Sequence, residues 1–192
     1  MADIYPASLE HCDTIGQIHV TSWQETYRGI IPDAVLDNLS VQVRAEHWRK
    51  IMRDHPTQPT FIATILGEPV AFINGGVRRG DLLSEDSEVY ALYVLRHAQR
   101  QGVGTQLIGT LVRVFQHLGF KSLCLWVAKD NGPARRFYEK LGGVQIGEKV
   151  EHQDGFDLSE VAYAWPSISC MIHQVSDVLL MAMNRSAVDQ LL

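Results

Sequence analysis

The stretch Glu88-Val-Tyr-Ala-Leu-Tyr-Val-Leu95, followed by Gln99-Arg-Gln-Gly102-Val-Gly104, decides how this chain of 192 residues is read. The first segment is rich in β-branched and aromatic residues and predicts a strand. Behind the glycines, Leu107, Leu111, Phe115 and Leu118 recur at spacings of three and four, with Ile108 and Val112 beside them, so a helix follows. Gly119 stands where a left-handed residue would cap that helix. Ser122-Leu-Cys-Leu-Trp-Val-Ala128 lacks polar alternation, as a strand covered on both faces does. Asn131-Gly-Pro133 then opens a short helix through Arg135, Phe137, Tyr138 and Leu141, stopped by Gly142-Gly143. Strand, glycine turn, helix, strand and helix make one right-handed parallel unit, with an anion site at the first helix's N-terminus.

The first N–H groups of a helix have no intrahelical partner, and the backbone dipole leaves partial positive charge there. Glycines at 102 and 104 remove the Cβ atoms that would hold a phosphate away and permit positive φ. Arg100 adds a full charge and Thr105 a hydroxyl. Two common nucleotide readings fail on specific residues. The Walker loop needs Gly-Lys-Ser/Thr, which does not occur. The dinucleotide fingerprint needs a glycine near 107, which is leucine, and an acid after the next strand, where Val127-Ala128-Lys129 stands.

The run Gln99-Arg100-Gln101-Gly102-Val103-Gly104 resembles the phosphate-binding signature of the GNAT superfamily of acyl-CoA-dependent N-acyltransferases, Gln/Arg-x-x-Gly-x-Gly/Ala, at every fixed position. The second half of that resemblance is Asn131 and, seven residues on, Tyr138. It extends back to Trp23-Gln-Glu-Thr-Tyr27-Arg-Gly-Ile-Ile-Pro32 and covers roughly residues 3 to 165. Leu95-Arg96 departs from the Asp-Pro that often follows the first strand. The resemblance implies an α/β (α+β) single domain over residues 1–165: a mixed, mostly antiparallel sheet with a splayed parallel pair in the middle and helices on both faces. It also implies transfer of an acetyl group from acetyl-CoA to a primary amine of a small molecule or peptide, by direct attack in a ternary complex. The alternative is a non-catalytic acyl-CoA-binding regulatory module on the same fold; the intact glycine turn, Asn131 and Tyr138 favour the enzyme.

Site residues follow from the same resemblance. The pantetheine arm would pair with the backbone of Leu92, Tyr93 and Val94, and the pyrophosphate would sit on the turn from Gln99 and Arg100 through Gln101, Gly102, Val103 and Gly104 to Thr105. Asn131 and Arg135 join this cofactor side, and Tyr138 would protonate the leaving thiolate. Trp23 and Tyr27 match the region that lines the acceptor pocket, where Glu25 and Glu85 would suit a cationic amine. An alkyl amine is mostly charged at neutral pH, so its proton needs an acceptor; Glu88, at the mouth of the first strand, is the candidate base, directly or through water. The N–H of Val94 would steady the oxyanion.

Composition agrees with a core-forming soluble chain. It is 46% hydrophobic with a formal net charge of -5, and no long run of one sign suits nucleic acid. Cys12, Cys124 and Cys170 are odd in number and far apart, which reads as reduced thiols in a cytoplasmic protein. His19, His47, His97 and His117 lack ligand spacing, so no metal is expected. No membrane segment is expected either. Before the central unit the pattern gives a strand at 3–7 and a helix to about Tyr27. A short helix from Pro32 and a helix from Val41 to about Asp54 come next, the latter with Val43, His47, Trp48, Ile51 and Met52 as its apolar side. A hairpin over 61–77 precedes a polar loop, Arg78 to Ser87; a second hairpin turns at Gln-Asp-Gly, residues 153–155. Residues 166–192 form a C-terminal extension with a rough helical stripe, read as a packing element or a homodimer contact.

Overall fold

The structure, a computed structural model, describes residues 2–153, 155–171, 173 and 175. Strand β1 (Asp3–Pro6) leads into helices α1 (Cys12–Thr26), α2 (Asp33–Asp37) and α3 (Val41–Asp54). The hairpin β2 (Thr60–Ile65) and β3 (Glu68–Val77) precedes β4 (Ser87–Val94), α4 (Val103–His117), β5 (Leu123–Ala128) and α5 (Gly132–Lys140). A second hairpin, β6 (Val144–Gln153) and β7 (Phe156–Trp165), completes one sheet in the order β1-β2-β3-β4-β5-β7-β6. Every neighbouring pair is antiparallel except β4 and β5. This is the mixed, mostly antiparallel sheet with a parallel pair in the middle. No described helix is long and apolar enough to cross a membrane.

The helical period of α4 determines which sheet face it covers. Leu107, Ile108, Leu111, Val112 and Phe115 are all fully buried, packing with Ile73, Val89, Leu125 and Val127. At roughly 1.5–3 kcal/mol for each large apolar side chain, that stripe outweighs any propensity term in the helix. Leu118, expected on the same stripe, is 58% exposed: the helix ends at His117, and Gly119 turns the chain away at φ +92. The opposite face is covered by α1 and α3, whose Cys12, Ile15, Ile18 and Trp48 pack on Ile62, Phe72 and Ala91. On α3, Val43 departs from the expected apolar side and is 72% exposed, while Ala45 is buried. Helices thus lie on both faces.

Residues 168–171, 173 and 175 are helical, and Ile168, Met171 and Val175 are buried in the cluster built on α4. A Cβ on Gly109 would stand 2.8 Å from Val175 Cγ1, so the glycine admits this contact. The start of the C-terminal extension therefore packs as core. The rest of its stripe, from Val178 to Leu191, lies outside the described residues, as does Asp154 in the second hairpin turn.

One carboxylate ties the parallel pair together at its start. Asp86 accepts the backbone N–H groups of Lys121 and Ser122, each at 2.8 Å, and the Ser122 hydroxyl at 2.9 Å; its own N–H donates to that hydroxyl. Ser87 Oγ adds a bond to the Ser122 carbonyl at 2.6 Å. Burial opposes ionisation of Asp86, but these donors win and hold its carboxyl below the usual carboxylate range. A depressed folded pKa contributes stability that is present above the unfolded value of about 4 and lost as pH falls through the folded one. Asp86→Asn should therefore cost about 1–3 kcal/mol in urea denaturation at neutral pH, with the gap to the native protein closing as pH falls below about 4. A gap that stays constant with pH would show that the charge does not hold the strands.

Candidate active site

Only three residue pairs join the parallel strands: Ser87↔Leu123, Glu88↔Cys124 and Val89↔Leu125. Beyond them β4 continues to Val94 and β5 to Ala128 without pairing to each other, so the sheet forks. The register shows which backbone groups face the fork. Leu95 donates its N–H to Val70 of β3, and Tyr93↔Phe72 is the next pair back, two residues on. In an antiparallel ladder hydrogen-bonded residues alternate, so Ala91 and Tyr93 bond to β3 while Leu92 and Val94 turn N–H and C=O into the fork. The expected backbone role of Tyr93 is thereby corrected: its main chain is committed to β3. Its side chain stands on the α1 face, stacked on His19 at 4.6 Å between ring centroids.

The glycine turn lies at the open end of the fork. Gly102 is left-handed at φ +83 and N-caps α4; the first intrahelical bond runs from Gln106 N–H to Gly102 O. The N–H groups of Val103, Gly104 and Thr105 precede that bond and lack an intrahelical acceptor. Arg100 is exposed and also has positive φ, +64. Gln99 and Gln101 use their amides inside the loop, on the carbonyls of Val94 (3.0 Å) and His97 (2.8 Å). Their side chains brace the turn, and Thr105 is buried. The backbone is thus the part of this turn that is offered to an anion.

On the other arm of the fork, Asn131 caps α5 by accepting the Ala134 N–H at 3.2 Å. Arg135 has its guanidinium taken up by the protein: the Tyr163 hydroxyl, the Lys129 carbonyl and Gln145 Oε1 lie within 3.3 Å. It braces β5 against the second hairpin. Tyr138 is buried beside Phe137, Tyr163 and Trp165. Burial, then the nearby Tyr93, pushes its hydroxyl pKa well up, so the phenol stays protonated at neutral pH. Tyr27 is raised in the same way, by burial and then by Tyr93, Tyr138 and Glu160, which brings four elements to one place. Trp23 meets Tyr27 edge-on at 5.2 Å, and both pack on the cluster of Ile31, Leu36, Ala128 and Leu158.

Glu88 is not at the open mouth of β4. It sits on the paired side of the fork, 2% exposed, because that end of the strand is the clamped one. Its carboxylate accepts the Arg79 N–H at 2.9 Å and Arg79 Nη2 at 2.7 Å, and the guanidinium lies 4.0 Å over the Tyr90 ring. These residues line a cavity of about 440 Å³ with Trp126, Lys149 and Glu160. Lys149 bonds Glu151 at 2.9 Å and Glu160 at 3.2 Å and stands 4.7 Å over Trp126. Burial is the first cause of the raised Glu160 pKa, with Lys149 opposing it. Sequence reading missed Glu160 and Lys149; their pairing across the second hairpin is legible only once the facing register is known. Glu25 accepts the Arg96 N–H at 2.8 Å, and Glu85 that of Ser84 at 3.1 Å; neither lines the cavity.

Known proteins share this arrangement. The model of the acetyltransferase (GNAT) family matches residues 19–143. An N-acetyltransferase of Bacillus subtilis (strain 168), YuaI, itself uncharacterized, is 30% identical over 172 residues, 89% of this chain and 96% of that protein. Among solved structures, a PaiA N-acetyltransferase from Thermoplasma acidophilum in complex with coenzyme A superposes with a TM-score of 0.61 at 19% identity, over 84% of this chain and 98% of that one. The putative acetyltransferase yncA from Salmonella typhimurium, with acetyl-CoA, gives 0.63 at 17% identity over 85% and 92%. Forked sheet, glycine turn and sequence match agree: the chain belongs to the GNAT family of acetyltransferases.

Proposed function

We propose that this chain transfers an acetyl group from acetyl-CoA to a primary amine of a small molecule or peptide, by direct attack while both are bound. The observation that carries the reading is the fork: Leu92 turns its N–H and C=O and Val94 its N–H away from β3 with no strand partner, beside a helix N-terminus that presents three more N–H groups, while the Val94 carbonyl is held by Gln99. That donor set fits an amide-bearing arm that ends in a diphosphate. Two structural neighbours carry coenzyme A or acetyl-CoA, which supports the same ligand here. When bound, acetyl-CoA supplies an activated carbonyl and a thiolate leaving group.

The remaining roles belong to this protein's own residues. Val103, Gly104 and Thr105 bind through main-chain N–H, with Arg100 adding charge and Gln99 and Gln101 fixing the loop. The Val94 N–H, which turns into the fork, would steady the carbonyl oxygen as it gains charge. Tyr138 keeps its proton and can donate it to the departing sulfur. Asn131 holds the start of α5, and so the position of Tyr138. Glu88 lies four residues before Leu92, roughly 13 Å along the strand, too far for direct proton removal. It would act through water in the cavity it lines, with Arg79 fixing its orientation. Trp23 and Tyr27 form the acceptor's apolar wall.

Two variants test these roles. Tyr138→Phe should lower turnover by about a hundredfold, as loss of a proton donor does, with coenzyme A affinity within about twofold by calorimetry. Unchanged turnover in a thiol-release assay would remove the tyrosine from the chemistry. Gly102→Val forces a branched side chain onto a left-handed residue at the helix start and should weaken coenzyme A binding by more than about tenfold. Undiminished binding would move the phosphate site elsewhere.

A further inference from the structure

Between α1, α3 and β4 several buried polar groups lack hydrogen-bond partners among the described residues. His19 is 6% exposed, and its Nδ1 accepts the Trp48 indole N–H at 3.1 Å. The ring proton is therefore on Nε2, which has no hydrogen-bond partner among the described residues. Burial, with Arg44 and His47 adding to it, pushes the His19 pKa down to about 3, so the ring stays neutral and Nε2 stays a donor. Ser22, one turn on and 2% exposed, has an unpartnered hydroxyl. The Trp23 indole N–H faces the Tyr93 hydroxyl without closing a bond of good geometry.

The charge beside them is unbalanced. Arg44 lies 5.5 Å over the Trp23 ring, half-buried. The other arginines and the lysine of α3, Arg49, Lys50 and Arg53, each pair with a carboxylate. Arg44 has no carboxylate partner among the described residues, and its pKa is lowered by burial with only Tyr93 opposing. A half-buried guanidinium with no carboxylate, beside a buried imidazole N–H and a hydroxyl without partners and an indole N–H poorly satisfied by Tyr93, carries a desolvation cost that an anion would relieve. The place matters as much as the chemistry: His19 stacks on Tyr93, whose neighbours Leu92 and Val94 face the fork.

We propose that this cluster is an anion subsite of the acceptor pocket, so that the acceptor is a primary amine which also carries a small oxyanion, a carboxylate or a phosphate. The oxyanion seats against Arg44, His19 Nε2, Ser22 and Trp23, and the amine points past Tyr93 to the fork. A polyamine would instead bring a second ammonium to Arg44 and be repelled. This inference rests on the acetyl-transfer reading above and narrows its acceptor class.

The test is calorimetric titration of the coenzyme-A-saturated protein with matched amines: lysine against cadaverine, and O-phosphoethanolamine against ethanolamine. At least one anionic member should bind about tenfold more tightly than its counterpart, the responding pair distinguishing carboxylate from phosphate. Arg44→Gln should erase the difference while leaving coenzyme A affinity unchanged, and Arg44→Lys should keep part of it. The inference is overturned if coenzyme A binds but no anionic member is preferred, if no amine binds, or if Arg44→Gln keeps the preference. Failure of coenzyme A itself to bind would instead defeat the acetyl-transfer reading. Inorganic phosphate titrated into the native protein and Arg44→Gln would then decide the subsite: binding lost in the variant sustains it, and equal or absent binding removes it.

Discussion

The hydrogen-bonded contact between β4 and β5 stops after Val89↔Leu125, and the candidate site follows from where it stops. A parallel pair that continued to Val94 would satisfy its own backbone groups and leave nothing to bind a ligand. A pair that never formed would leave α4 and α5 without a common floor. Asp86, Ser87 and Ser122 fasten one end, and α4 and α5 diverge from the other, so the strands are both fixed and parted. The elements around the fork each have a supporting residue. Gln99 holds the Val94 carbonyl, Gly102 starts α4 at the required angle, and Asn131 starts α5 so that Tyr138 comes under Trp165 and Tyr163.

The two faces of the sheet then divide the work. The α4 face is apolar and continuous, a packed support extended by Ile168, Met171 and Val175 from the C-terminal segment. The α1 and α3 face is mixed: aromatic rings, the paired charges of Glu88 with Arg79 and Lys149 with Glu160, and the donors around His19. Burial sets protonation around the fork. It keeps Tyr138 and Tyr27 protonated and His19 neutral, so these three groups hold their protonation near neutrality.

Much of this was legible in the sequence for physical reasons. The period of Leu107 to Phe115 fixed α4, and the uninterrupted apolar run at 123–128 marked a strand covered on both faces. Some errors fell where a stripe was read one position off or past a helix end: Val43 and His47 face away from the buried side of α3, which Ala45 and Trp48 carry, and Leu118 lies beyond the end of α4. The fork itself came from family resemblance, since nothing in the alternation of β4 or β5 says that they separate. Register carried the rest. It sends the Tyr93 backbone to β3 rather than to the fork, and it sets Lys149 opposite Glu160, with the lysine over Trp126. Arg44 looks like one more charged residue on a helix until its missing carboxylate is compared with the paired cations around it.

Amide hydrogen exchange at Leu92 and Val94, followed with and without coenzyme A, tests the fork most directly. Ala91 and Tyr93, bonded to β3, should be protected in both states, whereas Leu92 and Val94 should exchange freely alone and slow when coenzyme A is added. Protection at Leu92 and Val94 before any ligand is present, or no change on adding it, would mean that the strands are closed and that the site lies elsewhere.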